Sequence, residues 1–178
     1  MACRQAVVSF VKVGDKHFRT IWRKPDDERV VQLIDQRFLP HEFVIEEVRT
    51  VDQMATAIRE MHVRGAGLIG ASAGYGMYLA AVEATRRDSF DDHMTDAAAQ
   101  LRATRPTAVN LSWAIQRQLQ NVASGKTVDE KVALALRTAD LIADEDAEHC
   151  RIIGQHGLQL LRQIAKTKRN KAINVLTH

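Results

Sequence analysis

The residues best suited to chemistry lie in one run, Arg64-Gly65-Ala66-Gly67-Leu68-Ile69-Gly70. The run contains a literal G-x-G-x-x-G, the phosphate-cradling fingerprint of dinucleotide folds. That fingerprint requires a strand before it and a helix after it. The residues ahead of it carry helical spacing instead, so the strand is missing. A helix start needs less: free N–H groups and the positive end of a helix dipole make an anion site. Glycines let a ligand come close, and Arg64 adds a guanidinium whose fork fits phosphate oxygens. Arg105, in Thr104-Arg105-Pro106-Thr107, stands at the mouth of another helix, and two such arginines could share one phosphate.

Other candidates are weaker. His149, Cys150 and His156, with Asp146 near, could ligate a metal, but their spacing matches no standard zinc pattern; we assign no metal site. Lys166 to Lys171 is a basic stretch, read as a helix end that suits the macrodipole rather than as a nucleic-acid patch. The net charge of +3 is small and dispersed, which does not favour a nucleic-acid partner. Two cysteines, Cys3 and Cys150, make no disulfide framework, and a reducing, cytoplasmic setting is the default. The uncharged run from Gly65 to Val82 has the length of a membrane span but is rich in glycine, alanine and serine. Those small residues suit a buried helix packed tightly in a protein core, so no membrane partner is expected.

These residues need a scaffold, and 178 residues at 46% hydrophobic and 26% charged content are enough for a folded domain. The first part reads as strands: Val7–Val13, Phe18–Trp22, Val30–Ile34 and Phe43–Val48, with turns at Gly14-Asp15 and Pro25-Asp26-Asp27. Helical spacing then takes over. Thr50-Val51-Asp52-Gln53 is a capping box and opens the first helix. A second helix runs from about Gly67 to Ala84, and a third from Asp91 to Ala103. Pro106 is placed to begin a fourth. Thr127-Val128-Asp129-Glu130 is another capping box and opens a long helix of about 55–60 Å, with a kink or close contact expected at Gly154 and Gly157. Ala172 to His178 reads as a buried-type strand with no neighbour, the start of an α/β unit. The fold class is therefore α+β: a small antiparallel sheet followed by a helical bundle, a connecting helix, and the first strand of a Rossmann-like domain. The boundaries are 1–126 for the strand-and-helix domain, 127–170 for the connecting helix region and 171–178 for the start of the last domain. The chain reads as an N-terminal piece of something larger.

Four motifs occur in order: Arg64-Gly65-Ala66 with Ile69-Gly70, then Thr104 to Leu111, then Ile153-Gly154-Gln155-His156-Gly157, then Val175-Leu176-Thr177-His178. Together they resemble the methylthioribose-1-phosphate isomerase family of methionine salvage. Its relatives are ribose-1,5-bisphosphate isomerase and the regulatory subunits of the translation-initiation guanine-nucleotide exchange factor. Arg19 to Trp22 and Leu33 to Arg37 fit as well, so the resemblance runs from about Arg19 to His178. It implies an aldose–ketose isomerase acting on a C1-phosphorylated pentose, a homodimer with no cofactor, and substrate-phosphate binding by Arg64, Gly65, Ala66 and Arg105. It also implies a catalytic cysteine directly after His178 and an aspartate further on, so this chain carries no catalytic residue and would be inactive alone. The alternative it implies is a non-catalytic regulatory subunit. Where the isomerases usually have Pro-Ala, this chain has Gly67-Leu68.

Overall fold

A computed structural model describes residues 11–168 and 171–176. Five short strands precede five helices: β1 (Val11–Val13), β2 (Lys16–Phe18), β3 (Ile21–Lys24), β4 (Asp27–Ile34), β5 (Ile45–Val48), α1 (Val51–Arg59), α2 (Ala66–Ala84), α3 (Phe90–Thr104), α4 (Val109–Val122) and α5 (Val128–Lys168). The expected stretch Val7–Phe10 lies outside the described residues. The stretch expected as one strand over Phe18–Trp22 is divided: Phe18 closes the β1–β2 hairpin, and Ile21 opens a separate antiparallel sheet ordered β3-β4-β5. In that sheet Ile21 faces Leu33 and Val31 faces Val48. This pairing puts Ile21, Val31, Leu33 and Val48 into the core, each almost wholly buried.

Local chemistry sets the helix starts. The Thr50 hydroxyl accepts from the Gln53 amide at 3.2 Å, while Gln53 Oε1 accepts from the Arg49 amide at 2.7 Å. The return arm of this capping box thus falls one residue earlier than the standard form. The second box opens α5: the Glu130 amide donates to the Thr127 hydroxyl at 3.2 Å, and Glu130 Oε2 accepts from the Lys126 and Thr127 amides. Pro106 does not open a helix. It sits in a turn closed by the Ala108 amide on the Arg105 carbonyl, and α4 begins at Val109.

α2 is the central helix, and nearly its whole length is buried. Its small residues permit that: a Cβ at position 74 would already lie 3.2 Å from Ile142 of α5. Gln118, fully buried on α4, donates to the carbonyls of Gly74 on α2 and Ala135 on α5 at 2.8 and 2.9 Å, joining three helices. Among the described residues no helix is long and apolar enough to cross a membrane.

α5 spans 41 residues, about 60 Å at 1.5 Å per residue. It continues without interruption through Gly154 and Gly157, and a Cβ at either would meet open space, so neither glycine makes the close contact expected of it. Its buried residues, Ala135 to Ala143, all lie in the first half. Residues 171–176 form no strand; among the described residues no neighbouring strand is there to pair with them.

Candidate anion site at the start of the central helix

The segment between α1 and α2 is held from several sides. Met61 adopts a positive φ of 61°, turning the chain away from α1. His62 follows, buried, with its amide on the Ala57 carbonyl and its own carbonyl accepting from the Gln36 amide at 2.8 Å. Its Nδ1 lies 2.7 Å from Glu46 Oε2 on β5. Gly65 then takes φ of 90°, a conformation in the half of the map that strains any side chain, and becomes the N-cap of α2.

That cap leaves an anion-ready helix end. The Ile69 amide reaches back to the Gly65 carbonyl at 2.9 Å, so the amides of Ala66, Gly67 and Leu68 precede the intrahelical ladder. Among the described residues no side chain caps them. They open on a cleft of about 430 Å³ whose lining includes Arg19, Gln36, Arg64, Gly65, Ala66 and Asp146. The structure thus brings Arg64, Gly65 and Ala66 together at one cavity. The Arg64 Nε makes a long 3.4 Å contact to the Met61 carbonyl, and the guanidinium has no carboxylate partner among the described residues.

Arg105 is placed differently. It caps the C-terminus of α3, half-buried, and is not part of the lining of this cleft. The turn that follows it leads into α4, whose Asn110 carbonyl would stand 3.2 Å from a Cβ on Gly70. The structure therefore does not bring Arg105 to the cavity that Arg64, Gly65 and Ala66 share.

Of the acidic residues of α5, only Asp146 lines this cleft; the others are paired nearby. Asp140 accepts from Arg23 and from the Tyr75 hydroxyl, Asp144 pairs with Arg19, and Glu145 pairs with Arg117. Burial and the Asp140 carboxylate push the Tyr75 hydroxyl's pKa far up, so it stays a neutral donor. Asp146 makes no hydrogen bond or ion pair among the described residues. Its carboxylate lies against the first turn of α2, where a Cβ on residue 67 would overlap it. Burial raises its pKa, opposed by His149 and Arg19. A side chain at position 67 would require that carboxylate to swing away.

The histidine and cysteine side chains of α5 do not gather. Cys150 lines the 430 Å³ cleft beside Asp146, where burial and that carboxylate raise its thiol pKa, while His149 lines a separate hollow with Trp113. The side chains that do converge are Asp35, Glu46 and His62, whose ligand-type atoms lie within 4.8 Å of one another. Each is already partnered: Arg37 chelates Asp35 through Nε and Nη2, and His62 holds Glu46. Sequence reasoning passed over His62 and gave Asp146 only a minor part. His62 stands two residues before Arg64, and that position was the one available signal.

Comparison with known proteins now decides the lineage. The profile of the Initiation factor 2 subunit family matches residues 62–178, starting within the segment that leads into α2. The chain belongs to that family. Within it, the chain is similar to the methylthioribose-1-phosphate isomerases of Desulfosudis oleivorans, at 43% identity over 90% of this chain and 43% of that protein. The enzyme of the same name from Sinorhizobium medicae is 42% identical over 94% of this chain and 45% of that protein. Two crystal structures share the fold. One is translation initiation factor eIF-2B, subunit delta, from A. fulgidus, with a TM-score of 0.67 and 40% identity over 73% of this chain and 38% of that one. The other is 5-methylthioribose 1-phosphate isomerase from Pyrococcus horikoshii, with a TM-score of 0.65 and 42% identity over 71% of this chain and 36% of that one. This family member spans less than half the length of the relatives it matches.

Proposed function

We propose that this chain is the phosphate-gripping N-terminal part of an aldose–ketose isomerase that converts 5-methylthioribose 1-phosphate to 5-methylthioribulose 1-phosphate. The observation that carries the reading is the uncapped start of α2, with Arg64 beside it, opening on one cleft. The names of the relatives supply the substrate. Arg64 and the amides from Gly65 onward would hold the C1 phosphate, and the family resemblance adds Arg105, which would have to move to reach them. Isomerisation moves a hydrogen between C2 and C1, which as proton transfer needs a base at C2 and an acid at the C1 oxygen. Those groups, a cysteine directly after His178 and a later aspartate, belong to the C-terminal remainder of the protein. The chain's own contribution is remote binding energy that fixes the reacting carbons.

On this reading residues 1–126 form the first domain, 127–170 the connecting helix region and 171–178 the entry to a Rossmann-like domain. The protein works in the cytoplasm as a homodimer, without a cofactor. The likeness to subunit delta of eIF-2B favours a second reading, a regulatory subunit that keeps the pocket and lacks the chemistry. A cysteine as residue 179 supports the enzyme, and another residue there supports the regulator.

Arg64→Ala in the complete protein tests the phosphate grip. Loss of a charge-assisted bond, about 1.5–3 kcal/mol, should weaken sugar-phosphate binding by about 10- to 100-fold. Unchanged steady-state kinetics would refute the assignment.

A further inference from the structure

The opposite end of α2 carries a second basic feature. Four arginines, Arg29, Arg49, Arg86 and Arg87, line one groove of about 670 Å³ between β4, the start of α1 and the turn after α2. Two carboxylates, Asp27 and Glu83, share the lining, but both are engaged. Asp27 accepts from the Arg29 amide and from Arg49, and Glu83 Oε1 accepts from the Val51 amide at 2.9 Å. Glu83 Oε2 lies 3.3 Å from His93 Nε2. Arg29, Arg86 and Arg87 are exposed, and their guanidiniums have no hydrogen bond or ion pair among the described residues.

Three unpaired arginines lining one groove repel each other, an arrangement relieved by a multiply charged anion. Guanidinium forks match phosphate oxygens two at a time. The volume falls in the range of small-ligand sites, about 300–1,000 Å³. The geometry points to a second anion site, built for a small molecule with two or more linked phosphates. It is distinct from the site at the start of α2: 19 helical residues, about 28 Å, separate the two ends.

Calorimetric titration of the full chain with inorganic triphosphate at low salt tests this. The expected result is a saturable site, retained in Arg64→Ala, whose affinity falls as salt rises and exceeds that for orthophosphate by about tenfold or more. Arg86→Ala combined with Arg87→Ala should weaken triphosphate binding by about tenfold or more, and Arg64→Ala should leave it within about twofold. If the double variant fails to fold, Arg29→Gln on β4 carries the same expectation. Absence of saturable binding, insensitivity to salt, loss through Arg64→Ala with retention in the double variant, or stronger binding of single-stranded RNA would each overturn the proposal.

Discussion

Asp146 sits where a bound phosphate would be least welcome. Its carboxylate rests on the helix end proposed to take the anion, and among the described residues no cation pairs with it directly. A second negative charge close by, in a medium between protein and water, costs on the order of a kcal/mol or more. Asp146→Asn should therefore tighten sugar-phosphate binding by about tenfold at pH 7.5, measured by calorimetry on the complete protein. Unchanged or weaker binding would mean that the carboxylate serves the ligand. The same residue has a stability signature. Burial holds its pKa above the usual carboxylate value. The folded form thus keeps the proton that the unfolded chain releases first, and this stabilising contribution is complete in acid and fades as pH rises through the folded value. Asp146→Asn should raise the urea midpoint at pH 7 and leave it almost unchanged near pH 3. Asp35 works in the opposite sense. Burial would raise its pKa, yet the Arg37 side chain and amide together hold it below the usual range. Its contribution is present above the unfolded value and is lost as pH falls through the folded one. Asp35→Asn should flatten the acid limb of the stability profile, and an unaltered limb would remove the pair from that role.

Among the elements, α2, α4 and α5 meet at one buried amide. Gln118 satisfies both of its N–H bonds on main-chain carbonyls, while its Oε1 has no partner among the described residues. The carbonyls of Gly74 and Ala135 also belong to their own helices, so losing the extra donor costs little, and removing the orphaned oxygen offsets it. Gln118→Met, similar in volume and flexible, should change unfolding free energy by about 1 kcal/mol or less, whereas Gln118→Ala should cost about 2–4 kcal/mol through the cavity it leaves. Equal losses for both variants in chemical denaturation would show that the hydrogen bonds, and not the volume, matter. This fastening was invisible in the sequence, unlike the helix starts at Thr50 and Thr127, because capping acts between residues three apart. Ala108 offers no capping side chain, and the start of α4 was misjudged in favour of Pro106 for that reason. The convergence of Arg64, Gly65 and Ala66 on one cleft was legible because they are contiguous. Asp146 was not, since its approach to Gly67 depends on how α5 crosses α2, a packing outcome that residue spacing does not encode. The division of the strand at Arg19 and Thr20 belongs to the same class, as strand pairing is settled by distant partners.

At the scale of the whole molecule, α5 is two different surfaces. Ala135, Thr138, Ala139, Ile142 and Ala143 are buried against the bundle. Beyond them Ile153 is 69% and Leu160 62% exposed, with Leu158, Leu161 and Ile164 also facing outward. Apolar residues recurring through a helix this way form the kind of stripe that packs against another element. A helix of this length without tertiary contacts is marginal in water, because packing rather than propensity supplies most helical stability. Amide hydrogen exchange on this chain should therefore divide α5. Amides from Ala135 to Ala143 should approach the protection of α2, and those from Ile152 to Ile164 should exchange about a hundredfold faster or more, since local opening there exposes no new core. In the complete protein the second half should become as protected as the first if the proposed Rossmann-like domain covers it. Uniform protection along α5 in this chain at low concentration would contradict the picture. Protection that appears only as concentration rises would instead identify a second copy of the chain as the cover.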